Sequence, residues 1–177
     1  MINDKNAENR KNAELRNKLY SDNHFVIIEA LKEIKENGTI NIIPCLFDLI
    51  NEKTSDIIKK DILRLICDIK EQSAAPVLID AISTRNFGED TACVIATFWQ
   101  SRLDFSSYLP TFIKIFIKED YQTAIEAFTV IEESVSKISN KMQQECISIL
   151  NSAADSITQE KKPLYRELVK VIAGPGF

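Results

Sequence analysis

The sequence predicts an all-α fold, a right-handed α-α superhelix of about four helical pairs with an extra helix at each end. Three observations lead there. The first is a pattern that returns four times, anchored at Pro44, Pro76, Pro110 and Gln144, with spacings of 32, 34 and 34 residues. Offsets two, three, five and six from the anchor are apolar in every copy: Leu46, Phe47, Leu49, Ile50; Leu78, Ile79, Ala81, Ile82; Phe112, Ile113, Ile115, Phe116; and Cys146, Ile147, Ile149, Leu150. A period in the range of roughly 20 to 50 residues, with one supersecondary unit per copy, is the signature of a solenoid. The second observation is scarcity of glycine, 4 in 177 residues, which starves the chain of β-turns and phosphate-cradling loops. The third is that each copy also carries an earlier apolar stripe at helical spacing, so that each unit is a pair of antiparallel helices.

In chain order, residues 1–21 read as an N-terminal charged capping helix, from Ala7 to Tyr20. Leu15 and Leu19 are its few apolar anchors, and polar faces elsewhere suit the end of an array, where one surface meets water. Residues before Ala7 are expected to be loose. The first unit spans 22–53, the second 54–86, the third 87–119 and the fourth 120–158, and 159–177 hold a C-terminal helix and a loose tail, all in one domain.

The first helices carry Ile27, Ile28, Leu31, Ile34; then Ile58, Ile62, Leu63, Ile66, Ile69; then Val94, Ile95, Phe98, Trp99, Leu103; then Ala124, Ala127, Phe128, Ile131, Val135. Asp22, Ser55 with Asp56, Asp90 and Asp120 mark their starts, where negative charge complements the helix dipole. Asn37-Gly38 ends the first of them, the glycine expected as a left-handed C-cap. The second helices are expected to open at Asn41, Ser73 and Ser107, each an N-cap three residues before a proline that first-turn geometry tolerates. In the fourth unit glutamine replaces proline, and Ser139 is the expected cap of a helix that begins earlier. The last helix runs from Pro163 to Ile172 with Leu164, Leu168 and Ile172 on one face, expected to be the open end of the array. Gly174-Pro-Gly-Phe177 is expected to be loose.

Composition narrows the class of function. With 45% hydrophobic and 27% charged residues, the chain reads as a soluble globular protein. A net charge of −4 and a pI near 5.2 argue against a main affinity for phosphates, which needs clustered Lys and Arg. No run approaches the ~20 apolar residues that cross a bilayer, and residues 3–18 lack the apolar core of a signal peptide. A cytoplasmic protein is the expectation, with no membrane partner. Cys45, Cys67, Cys93 and Cys146 include no close pair of the C-x-x-C kind, so they read as buried or half-buried thiols on helices, with no metal site.

The proline near the start of a helix and the paired apolar offsets, repeated in register, resemble HEAT repeats, the helical-pair units of armadillo-like α-solenoids. They are similar to the short HEAT-like repeats of uncharacterised bacterial proteins. The resemblance covers about residues 22–172 and departs from the usual repeat in lacking a ladder of Asp with Arg or Lys between units. It implies a non-enzymatic protein- or peptide-binding scaffold, with no cofactor; a minority of such proteins act on nucleic acid or on bound cofactors.

Two candidate surfaces follow. In such arrays the second helices line the concave face, where offset four reads Asp48, Asp80, Lys114, Ser148 and offset eight reads Glu52, Thr84, Lys118, Ser152. This polar ladder could orient a peptide along a charge gradient, or be an ordinary solvated face. The aromatics make the other surface: 9 of the 14 lie between Phe87 and Phe128. Trp99, Gln100, Arg102, Tyr108 and Tyr121, with Glu126 near, are a candidate recognition patch, since Trp and Tyr are favoured interface anchors. The packing reading has Phe105 and Tyr108 close a turn and Trp99 fill a groove between units.

Catalytic residues are not expected. His24 is the one histidine, at a helix start, and no G-x-S-x-G elbow occurs. The neighbours Glu119-Asp120 and Glu132-Glu133 point about 100° apart on a helix. The enzymatic alternative is a DNA-glycosylase-like or nucleic-acid-binding repeat protein using Trp99, Asp104 and Lys114, against which the acidic charge weighs. A monomer or a weak end-to-end dimer is expected.

Overall fold

The computed structural model describes the backbone of residues 2–174 and the side chains of residues 9–174. The described residues form helices and short connections, with no strand among them. They contain no helix long and apolar enough to cross a membrane. The expectation for Pro175–Phe177 lies outside these residues. The chain divides into two compact units at Asp90/Thr91, and each is described by itself.

The first unit holds α1 (Ile2–Leu19), α2 (His24–Asn37), α3 (Ile43–Asp48), α4 (Asp56–Cys67) and α5 (Ala75–Thr84). Helix α1 starts at Ile2, five residues earlier than its sparse apolar pattern indicates. Leu15 and Leu19 are its buried anchors, as expected. Asn12 is buried too, its side-chain oxygen accepting a 3.0 Å bond from Thr39 Oγ1, so burial of this amide is compensated. Helix α2 packs on α1 and α4, and α3 packs on α5. All eight apolar offsets of these two repeats are buried.

Two local expectations are corrected in this unit. Gly38 is not left-handed; its φ of −68° and ψ of 153° are extended. Glycine is needed there for close approach instead: a Cβ would stand 2.5 Å from the Ile34 carbonyl oxygen and 2.7 Å from Ile34 Cγ2. The expected caps Asn41 and Ser73 also fail, as does Ser107 in the second unit. Each lies inside a three-residue 3₁₀ turn (Ile40–Ile42, Gln72–Ala74, Ser106–Tyr108) that leads into the α-helix without a side-chain cap. Backbone bonds from Ile42, Ala74 and Tyr108 to Thr39, Glu71 and Phe105, at 3.0, 2.9 and 2.8 Å, satisfy the first donors instead, and each proline sits second in its helix.

The second unit holds α6 (Thr91–Ser101), α7 (Leu109–Lys118), α8 (Tyr121–Ser134), α9 (Asn140–Ala153) and α10 (Lys162–Ala173). Helix α6 packs on α8, and α7 packs on both α8 and α9. Phe98, Phe105 and Phe112 form its aromatic centre, with ring centroids 5.0, 5.3 and 5.9 Å apart, each ring 1% exposed or less. Phe105 thus closes the turn from inside the core, as the packing reading had it. Two caps match the expectation. Asp120 accepts from Thr123 N at 2.7 Å, and Ser139 accepts from Met142 N at 3.3 Å, opening the earlier and longer α9.

The apolar face of α10, expected to be open, is covered at Leu168 and Ile172, while Leu164 is half-buried. Leu168 and Ile172 are buried as α10 packs on α8 and α9, and the Gln143 amide donates to the carbonyls of Ile172 and Ala173 at 2.7 and 3.1 Å. Lys161, just before α10, is buried as well. Its Nζ donates to the carbonyls of Phe116, Ile117 and Glu119 at 3.0, 2.8 and 2.8 Å, satisfying carbonyls at the C-terminal end of α7. Cys45 and Cys146 are buried and Cys67 half-buried, but Cys93 is exposed. Its neighbours Ala92 and Val94 take the inward side of α6, which turns Cys93 to the surface.

Candidate functional site

Helix α6 ends in a way that sets out a site. Phe98 points into the core, and the helical turn of about 100° per residue carries Trp99 and Gln100 outward, leaving Trp99 37% exposed. Its indole Nε1 donates to Glu126 Oε2 on α8 at 2.8 Å, fixing the ring on the surface. Ser101 closes the helix: its hydroxyl donates to the Phe98 carbonyl at 2.8 Å and accepts from Leu103 N at 3.3 Å.

Arg102 follows with φ of +62°, the only non-glycine residue with positive φ among those described. An L-residue in this region costs roughly 1–2 kcal/mol. Its backbone N–H reaches the Trp99 carbonyl at 3.3 Å. The guanidinium forms no hydrogen bond or ion pair among the described residues.

Between the C-terminal ends of α6 and α8 lies a cleft of about 610 Å³. Phe98, Phe105 and Val130 form its apolar floor; Trp99, Gln100 and Arg102 line one side, and Glu133, Ser134 and Lys137 the other. Lys137 pairs with Asp104 at 3.4 Å. The Ser106 backbone N–H, at 2.9 Å, holds the Asp104 carboxyl below the usual aspartate value, and Lys137 adds to the effect. Asp104 is therefore a committed anion that caps the next turn. Among the described residues Glu133 pairs with no cation.

Of the residues singled out in the sequence, Trp99, Gln100, Arg102 and Glu126 come together here. Tyr108 and Tyr121 do not line the cleft. Tyr121 opens α8, and the helix rise places it about 18 Å along the axis from Glu133. Trp99 shows features of both readings: its indole reaches Glu126 on the helix of the next repeat, as packing between units had it, while 37% of the residue stays exposed. Lys137 was not foreseen, and Glu133 was weighed only beside Glu132 as a carboxylate pair; both reach the cleft through the packing of α8 against α6.

The polar ladder of the second helices is less open than its spacing suggests. In the first unit Asp48 accepts from Tyr20 Oη at 2.8 Å and from Arg85 Nε at 2.7 Å, while Arg85 also reaches the Pro44 carbonyl at 3.3 Å. Asp48 is thus the centre of a polar tie among α1, α3 and the end of α5. Thr84 and Ser152 turn their hydroxyls back to the carbonyls four residues earlier, Asp80 and Ser148, at 2.8 and 2.9 Å. Asp80 and Lys114 are exposed, and Lys118 pairs with Glu119 at 2.9 Å.

A smaller cleft of about 280 Å³ occupies the equivalent place in the first unit, at the C-terminal ends of α2 and α4. Lys35 and Asp68 pair across it at 3.1 Å, as Lys137 and Asp104 do in the second unit. With α2 answering to α6, the repeat register matches Glu36 with Arg102, yet Glu36 lies inside α2 and is helical. The aromatic wall and the left-handed arginine therefore belong to the second unit and not to the repeat as such. Among the described residues no group of three or more His, Cys, Asp or Glu side chains could hold a metal ion. Comparison with protein-family models, with curated proteins and with solved structures finds no match to this chain.

Proposed function

We propose that the chain is a right-handed HEAT-like α-solenoid that serves as a non-enzymatic scaffold, holding a protein or peptide partner at the α6/α8 cleft. Within each unit, successive first helices pack on one another and so do successive second helices, α2 on α4 and α3 on α5, α6 on α8 and α7 on α9. This is the neighbour relation that stacked helical hairpins make, and it supports the repeat reading.

The observation that carries the functional reading is Trp99. An aromatic ring 37% exposed, tied at its one polar atom to Glu126 and set over an apolar-floored cleft, is a rigid anchor of the kind that dominates interfaces. The committed Asp104, held by Ser106 and Lys137, favours this reading over a glycosylase-like one, because its lone pairs are engaged in the chain's own structure.

Affinity capture of tagged protein tests the proposal, with Trp99→Ala and a Lys114→Glu, Lys118→Glu double variant alongside and half of each sample treated with nuclease. A partner retained by the wild type, lost by Trp99→Ala and indifferent to nuclease is the expected result. Loss through the lysine pair alone would move the contact to the second helices. Dependence on nuclease would revive the nucleic-acid alternative and overturn the scaffold reading.

A further inference from the structure

We infer that the α6/α8 cleft recognises an extended peptide segment in which an apolar residue stands beside an acidic one, with the acidic side chain read by Arg102. The inference rests on the scaffold reading and adds to it the chemistry of the partner.

Four observations combine. The cleft has room for two or three peptide residues, at about 610 Å³. Its floor of Phe98, Phe105 and Val130, walled by the fixed Trp99 ring, takes an apolar side chain. Its charges are of two kinds: Lys137 is answered by Asp104, whereas Arg102 and Glu133 face the cleft with no ion pair among the described residues, to each other or elsewhere. Finally, Arg102 is held at φ +62°, where glycine or asparagine is the usual choice, while Glu133 sits at an ordinary position inside α8. The backbone bond to Trp99 would form with glycine as well, so the choice of arginine at this position is matched by no bond of its guanidinium, which singles that group out for a partner.

A carboxylate suits it, because guanidinium forms paired N–H···O bonds with that group. Glu133 then decides between two anionic ligands. A peptide offers main-chain N–H groups that a carboxylate can accept, whereas the phosphates of a nucleotide offer no donor and are repelled by it. The carbonyl ends of α6 and α8 weigh the same way, since their partial negative charge disfavours a multiply charged anion more than a single carboxylate.

The test uses a phage-displayed library of random heptapeptides selected on the intact protein. Synthetic copies of enriched sequences are then titrated while Trp99 emission is followed, Trp99 being the single tryptophan of the chain. Enriched peptides should pair Asp or Glu with an aliphatic or aromatic neighbour and shift Trp99 emission. They should bind Arg102→Glu roughly ten- to a hundredfold more weakly. The same selection on Arg102→Glu should turn the preference to Lys or Arg, an outcome that mere loss of structure would not produce. Peptides that bind equally well to Arg102→Glu, or that show no acidic preference, would overturn the inference and leave the scaffold reading intact. Failure to enrich any peptide would also overturn it, with affinity capture left to decide the scaffold reading separately. A nucleotide that shifts Trp99 emission in an Arg102-dependent way would assign the cleft to a different ligand and overturn both.

Discussion

Arg102→Gly should stabilise the fold while removing recognition at the cleft. The left-handed backbone costs an L-residue roughly 1–2 kcal/mol, and Arg102 adopts φ of +62°. Glycine removes that cost but adds unfolded-chain entropy of about 0.4–1 kcal/mol. No side-chain hydrogen bond or ion pair is lost, because the guanidinium makes none among the described residues. The balance is a gain of about 0.5–1 kcal/mol, which for a chain of this length corresponds to a rise in Tm of roughly 1–4 °C. Urea titration and thermal melts followed by circular dichroism would measure it. Arg102→Ala is the control, since it deletes the guanidinium but keeps the Cβ and hence the strain; it should fall within about 0.5 kcal/mol of wild type. A loss of stability above about 1 kcal/mol in Arg102→Gly would mean that the arginine stem packs favourably enough to justify its backbone, and the argument that strain marks the site would fail.

The remaining predictions concern the elements that position the cleft and close the chain. Gly38→Ala should destabilise by roughly 1–3 kcal/mol in equilibrium unfolding, because its Cβ would meet Ile34 at 2.5 Å; a neutral result would show that the end of α2 relaxes freely. Lys161→Met should cost about 2–4 kcal/mol, as three carbonyls lose a charged donor. Burial pushes the Lys161 ammonium below the ordinary lysine value, with Asp120 and Glu119 opposing, so the folded chain gives up this proton before the unfolded chain does. Stability of wild type relative to Lys161→Met should therefore rise as pH climbs from the lowered value toward the ordinary one, and a fall across that window would contradict the burial argument. Asp120→Ala should lose about 1 kcal/mol at neutral pH. The Thr123 N–H holds Asp120 below the usual aspartate value, so the difference from wild type should persist above that usual value and vanish as pH falls through the lowered one. Glu126→Ala should free the indole N–H and shift Trp99 emission to the red, with little change in far-ultraviolet circular dichroism; an unchanged spectrum would mean that Glu126 does not hold the ring.

Hydrophobic periodicity exposed the helices because burial and period are one physical fact: residues at offsets two, three, five and six share a helix side, and in the first two repeats all of them are buried. Helix starts were less legible. Asn41, Ser73 and Ser107 are good caps by residue type, but a 3₁₀ turn satisfies the first donors through the backbone, and residue type cannot choose between the two solutions. Gly38 illustrates the same limit. The sequence marks a place that only glycine fills, while the reason is a crowded Ile34 and not a positive φ. At the candidate site, Trp99 and its neighbours were visible as aromatics outside the core offsets. The place of Glu133 and Lys137 in the cleft was not, because helix packing and not sequence spacing brings them opposite Arg102.

The two clefts allow the contribution of the repeat to be separated from that of the site. Each unit has a hollow near the C-terminal ends of two packed helices, α2 with α4 and α6 with α8, and each carries a lysine–aspartate pair beside it, Lys35 with Asp68 and Lys137 with Asp104. No ligand is needed to account for these pairs: a cation near a helix C-terminus offsets the dipole, and exposed pairs of this kind contribute little beyond it. Had the second cleft been only a by-product of helix packing, the residue at this register would sit in a relaxed conformation, as Glu36 does inside α2. Arg102 occupies the same register with φ +62°, beside a tryptophan whose N–H is tied down and over a hollow about twice as large. The departures from the repeat thus coincide at one place, each with a local cost or an exposed apolar surface that packing within the unit does not require. Removing both departures, by Trp99→Ala with Arg102→Gln, should leave a folded chain whose second cleft no longer prefers acidic peptides.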